Sequence, residues 1–192
     1  ADSPWESAPT VPTYDDAPCG PALCCSETHV QAAAGRMAAR LRKHEGVPLT
    51  VDLEGELGGY ASYIALLQAC VDGVDEQGEA EQLVYVFDTH LNKQALRARG
   101  PDTLCALLED PRIPKSLHCC SGDAASLHRE YGIKLNYFLD TGLADMLLRR
   151  REPKQQRNLA KVLRHWVSGE VQLTHKGAME FVPGMFNERP LT

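Results

Sequence analysis

Three strand-like runs sit close together in the first half of the chain: PLTVDLE (48–54), SYIALLQACV (62–71) and QLVYVFDT (82–89). Short Gly-containing or acidic connections join them, the arrangement of an antiparallel meander. The second half changes character. PKSLHCC (114–120) reads as a buried strand that leads into GDAASLHREYGI, a helix stopped by Gly132. NYFLDT (136–141) is a further short strand, with LADMLL as a helix behind it. Strand–helix alternation of this kind implies parallel strands joined by crossover helices. Together the two halves predict an α/β fold on a mixed sheet, antiparallel block first and parallel strands after it. Ahead of the meander, HVQAAAGRMAARLRKHEG has apolar residues at Val30, Ala33, Met37 and Leu41. That spacing predicts a helix, with Ser26 or Thr28 to cap it and Gly46 to stop it. DTLCALLED, after Pro101, predicts a short one.

The 192 residues are 43% hydrophobic and 24% charged, with a net charge of -6. This suits one globular domain with an appendage and speaks against a surface coated in positive charge for nonspecific nucleic-acid binding. A local basic stripe and an acidic cleft both remain compatible with it. No apolar run approaches the roughly 20 residues that span a bilayer, and no membrane association is expected. Residues 1–27 hold five prolines and no hydrophobic periodicity. They read as an extension, suited to lying across a protein partner, ahead of a domain over 28–192. Seven cysteines, an odd number, favour a reducing, intracellular compartment, cytoplasmic or organellar. Cys70, Cys119 and Cys120 fall in strand-like runs as small core residues. Cys19, Cys24 and Cys25 lie together but lack a CxxC spacing and a second ligand pair, so a structural zinc has little support.

The chemistry concentrates in TVDLEGELGG. Side chains two apart on a strand share a face, so Asp52 and Glu54 converge. Two hard oxygen donors there suit Mg²⁺ or Mn²⁺, although a D-x-E triplet alone also describes an ordinary acidic strand face. A third carboxylate, Asp123, falls just past a buried strand in the first turn of a helix, which is where open sheets place ligands. A plain N-terminal helix charge explains the same position. Pro153 opens a last helix, PKQQRNLAKVLRHWV, with Leu159, Val162, Leu163 and Trp166 on one face. Lys154, Arg157, Lys161 and Arg164 form a stripe on another. Such a stripe is either a solvated face or a track for phosphates.

In order, VDLEGELGG, LLQAC, LVYVFDT, LLEDPRIPKSLHCCSGDAASLHREYGI and FLDTGLADMLL resemble the 3′–5′ exonuclease domain of the ribonuclease D superfamily, the DEDD type. Within that superfamily, the segments resemble the Egalitarian-like group. The match runs from about residue 29 to the terminus. The resemblance implies a ribonuclease H-like fold and two-metal phosphodiester hydrolysis on single-stranded nucleic acid, RNA over DNA. It implies that Asp52, Glu54 and Asp123 bind the metals, that His118 matches a His often found upstream of the aspartate, and that Asp140 is structural.

The pattern is incomplete. The family's third motif is a Tyr followed four residues later by an Asp, usually after an Arg-Pro-Leu segment. Here Arg189, Pro190 and Leu191 are followed only by Thr192, and no Tyr has an Asp four residues on. Ser121 and Gly122 also stand where Arg-Ser often precedes the aspartate. Two expectations follow: a nuclease completed by residues beyond Thr192, or a non-catalytic RNA-binding adaptor or structural subunit. The chain as written is expected to be incompetent in hydrolysis.

Overall fold

The computed structural model describes residues 22–56, 63–74, 78, 80–90, 92–149 and 155–167. The meander is present: β2 (Leu49–Glu56), β3 (Tyr63–Val74) and β4 (Ala80–Asp88) pair antiparallel in sequence order. β5 (Lys115–Leu117) and β6 (Phe138–Asp140) then add in parallel on the β2 side. A short strand from the expected extension, β1 (Ala22–Cys24), pairs in parallel with β4 at the other edge. The six-stranded order is β1-β4-β3-β2-β5-β6, so β2 lies inside the sheet between an antiparallel and a parallel neighbour. This is the mixed sheet expected from the two halves of the sequence.

Helix α1 (Glu27–Lys43) begins where Ser26 Oγ accepts the His29 N–H at 3.2 Å. Its buried face is Val30, Ala33, Ala34, Met37, Ala38 and Leu41, the expected stripe of small and apolar residues against the sheet. Small side chains let the helix approach β1, β3 and β4, where Leu67, Tyr85 and Phe87 fill the core. Gly46, at φ +82°, supplies the turn that follows the helix. The short helix after Pro101 is α3 (Leu104–Glu109), capped by Thr103; α2 (Lys93–Arg97), which periodicity did not suggest, precedes it.

Two elements differ from expectation near the parallel edge. β5 stops at Leu117, short of Cys119 and Cys120, because the Asp140 carboxylate takes both cysteine N–H groups (2.9 and 3.1 Å). Cys119 accordingly turns into the left-handed region at φ +57°. Cys120 still reaches the core, but from the start of α4 (Ser121–Tyr131) rather than from a strand. Asp140 also caps α5 (Thr141–Leu148) by accepting from Gly142 N and Leu143 N at 2.8 and 3.1 Å. Lastly, the helix expected from Pro153 begins only at Leu159, as α6 (Leu159–Trp166). Asn158 caps it, and the Arg157 carbonyl just before is already engaged by His118.

A bulge interrupts the β2–β3 ladder. Glu54 pairs with Leu66 but Gly55 with Ile64, which leaves Ala65 as the extra residue. Only glycine fits at 55: a Cβ there would lie 2.2 Å from the Tyr63 carbonyl oxygen. The Ile64 N–H is received by Glu130 Oε1 (2.9 Å) and its carbonyl accepts from Thr89 Oγ1 (2.5 Å), so the kink is held by side chains.

Candidate active site

On β2, Val51 and Leu53 are buried in the core while Asp52 is exposed and Glu54 half-buried. The alternation puts both carboxylates on the face away from that core, as their spacing requires. The bulge begins immediately after Glu54, so the pair sits at the last regular stretch of the strand. Leu49 is level with Lys115 and Thr50 with Ser116 in the parallel β2–β5 ladder. Continuing that register by two residues brings His118 level with Asp52. The turn after β5 then delivers Asp123 in the first turn of α4, only 7% exposed.

Electrostatics tie these side chains together. Burial pushes the Asp123 carboxyl up to about 7, reinforced by the charges of Asp52, Glu54 and Asp140. Glu54 is raised by burial and then by Asp52. Asp52 is raised by the protein packed around it, while the Leu53 N–H and His118 pull the other way. Each charged group acting on Asp123 is a carboxylate. A buried acid among like charges keeps its proton or takes a cation. Hard oxygen donors of this sort suit Mg²⁺ or Mn²⁺. The donor chemistry fits such an ion, but no three His, Cys, Asp or Glu side chains among the described residues are gathered closely enough to enclose one. Of the N-terminal cysteines, Cys24 is a buried core thiol in β1, and Cys19 lies outside the described residues.

Asp140 behaves differently from its acidic neighbours. Partial burial opposes its charge, yet the N–H groups of Leu143, Cys119 and Cys120 hold its carboxyl below the usual range. All of its capacity goes into fixing the turn and the start of α5, a structural role as expected.

The basic stripe is rearranged. Lys161 and Arg164 are exposed on α6, one turn apart. Arg157 lies in the segment before the helix, and Lys154 lies outside the described residues. Arg149 is buried against Asp145: Nε donates to Oδ2 at 2.9 Å. Trp166 Nε1 donates to the other oxygen of Asp145 at 2.9 Å, and Arg149 Nη2 donates to the Gln155 carbonyl at 2.7 Å. This clasp joins α5, the following segment and α6. Sequence reasoning missed it; the only trace was the i, i+4 spacing of Asp145 and Arg149.

A surface cavity of about 710 Å³ lies elsewhere, between α1 and the α3 region. Its arginines are already paired, Arg42 with Asp102 and Arg112 with Asp110, so it offers no comparable chemistry.

The family model of a 3′–5′ exonuclease domain matches residues 28–180. The chain belongs to this 3′–5′ exonuclease family. Its fold is the ribonuclease H-like one of solved relatives. *Trypanosoma brucei* RNase D in complex with RNA U12 aligns at 20% identity and a TM-score of 0.58, over 88% of this chain and 54% of that one. The catalytic core of RRP6 from the same organism aligns at 14% identity and a TM-score of 0.54, over 81% and 37%. *Escherichia coli* RNase D, an exoribonuclease involved in structured RNA processing, aligns at 16% and 0.51, over 75% and 32%. This exonuclease-family chain therefore spans about half the length of the trypanosome RNase D, and less of the other two. No curated protein sequence matches it. No helix among the described residues is long and apolar enough to cross a membrane.

Proposed function

We propose that this domain engages the 3′ end of a single-stranded nucleic acid, RNA in preference to DNA, and hydrolyses its terminal phosphodiester. The observation that carries this reading is Asp123, a nearly buried carboxyl lifted to about 7 beside Asp52 and Glu54. Structural acids are normally paired with cations or N–H donors, as Asp140 and Asp145 are here. The Asp52–Glu54–Asp123 group is not explained by fold stability, and it fits a divalent-cation site. Mg²⁺ or Mn²⁺ held by these three residues would stabilise charge on the phosphoryl oxygens and on the attacking and leaving oxygens. Arg157, Lys161 and Arg164 would draw in the strand's phosphates. RNA is favoured because one fold relative was solved with RNA bound.

A second reading has its own support. Among the described residues, Asp52, Glu54 and Asp123 are not gathered closely enough to enclose an ion. A domain whose carboxylates do not close on an ion loses most of the positioning on which phosphoryl transfer depends. It would then serve as a nucleic-acid-binding adaptor or assembly subunit, with the Pro-rich extension available to a protein partner. The Egalitarian-like placement rests on the sequence resemblance and is compatible with either reading.

A labelled single-stranded RNA incubated with Mn²⁺ separates the two. Stepwise shortening from the 3′ end that disappears with Asp52→Ala supports the enzyme. Retained binding without shortening supports the adaptor.

A further inference from the structure

His118 stands where three elements meet. Its Nδ1 lies 2.9 Å from Thr141 Oγ1 in the first turn of α5, and its Nε2 lies 2.9 Å from the carbonyl oxygen of Arg157. A carbonyl only accepts, so Nε2 carries a proton and donates it. The Thr141 hydroxyl is itself 3.1 Å from the Leu117 carbonyl at the end of β5. Strand and helix thus fix the direction in which the ring presents its N–H. His118 also follows β5 at the register level of Asp52, whose charge it favours.

The segment that His118 reaches needs such a tie. α6 is eight residues long, with Val162 as its buried residue and Leu159 and Trp166 half exposed. Two turns of helix with so little packing are marginal on their own. Its place depends on polar contacts: the Asn158 cap, Trp166 on Asp145 together with Arg149 on the Gln155 carbonyl just ahead of it, and His118 on Arg157 O. The first is internal and the second runs to α5. The third runs to the strand end beside the carboxylates.

We propose that His118 is a positioning residue that holds the 155–167 segment, and with it Lys161 and Arg164, in register with the carboxylate cleft. This rests on the nucleic-acid reading above. Cations guide a phosphate chain only within about a Debye length, roughly 8 Å at physiological salt, so their placement relative to the cleft decides whether a bound strand reaches it. The side chain does this through the Arg157 backbone, which makes the anchor independent of the residue type at 157.

Trp166 reports the coupling directly, since Trp5→Phe leaves it as the sole indole of the chain. In that background, acrylamide quenching of Trp166 is measured for His118→Leu, His118→Gln and Thr141→Val. Affinity for a fluorescent single-stranded oligonucleotide is measured over a salt series in metal-free buffer. His118→Leu increases Trp166 quenching and weakens binding about five-fold, the size of one net hydrogen bond, with a shallower salt slope. His118→Gln, whose amide N–H replaces the Nε2 donor, stays near wild type, and Thr141→Val falls between. Adding Lys161→Ala and Arg164→Ala to His118→Leu costs less than the separate losses multiplied together. Wild-type quenching in both His118→Leu and Thr141→Val overturns the proposal, as does full multiplicativity. Should His118→Leu fail to fold, unchanged quenching in Thr141→Val alone overturns it. Absence of oligonucleotide binding in the wild type sinks the nucleic-acid reading, while quenching still judges the anchor.

Discussion

Two buried ionisable side chains, Asp123 and Lys115, show how differently burial is resolved in this molecule. Asp123 has carboxylates around it and rises to about 7. Lys115 is 1% exposed at the start of β5, and its Nζ donates to the carbonyls of Asp110 (2.5 Å) and Ile113 (2.9 Å). Burial lowers its pKa from 10.5 to about 8, against the pull of Asp110. The ammonium therefore serves as a staple for the turn before β5, at a desolvation cost. Between the lowered folded value and the ordinary one the native state binds fewer protons than the unfolded chain, so stability rises with pH across about 8 to 10.5 and is lost as pH falls through 8. Urea unfolding across that window is expected to show this rise in the wild type. Lys115→Met should flatten it while lowering stability by about 1–3 kcal/mol, through the two carbonyls left unpaired.

Among the elements, α5 and the turn after β5 depend on one side chain. Asp140 accepts from Cys119, Cys120, Gly142 and Leu143, so it both caps a helix and ends a strand. Asp140→Ala is expected to destabilise by about 2–4 kcal/mol, combining a lost cap with stranded N–H groups. Denaturant unfolding measures it, and a loss no larger than that of an ordinary exposed cap would contradict the double role. The sequence resemblance implied a structural Asp140, and the aspartate accepts from four backbone N–H groups. What it bonds was not readable, because the Cys119 and Cys120 N–H groups are about 20 residues away and reach it only after the sheet forms. The same limit explains α6. Apolar spacing described a helix from Pro153, but the anchor from His118, just past β5, and the Asn158 cap delay it to Leu159.

For the whole molecule, the decisive quantity is the charge gathered over β2. A divalent cation that binds the folded chain and not the unfolded one stabilises it by mass action, about 2.7 kcal/mol at a hundred times Kd. Thermal unfolding with Mg²⁺ or Mn²⁺ is therefore expected to move upward by several degrees. Asp52→Asn and Asp123→Asn are expected to abolish that shift while losing little stability without metal, since each removes a repulsive charge. A shift that persists in both variants would place the ion elsewhere. The measurement holds for either function, because an adaptor that keeps the site still binds the cation.

The order of β2 to β6 with α1, α3, α4 and α5, the face shared by Asp52 and Glu54, and the helix-start position of Asp123 were set by local pattern, whereas β1 and α2 were not. Period-two alternation, capping residues and Gly punctuation act over a few residues and need no knowledge of the rest of the chain. Tertiary structure alone decided the bulge after Glu54, the early end of β5, the burial of Arg149 on Asp145 and the anchoring of Arg157 by His118. Each of these trades a local hydrogen bond or a solvated charge for a partner distant in the chain or buried with it, and such a partner exists only once the sheet has brought the pieces together.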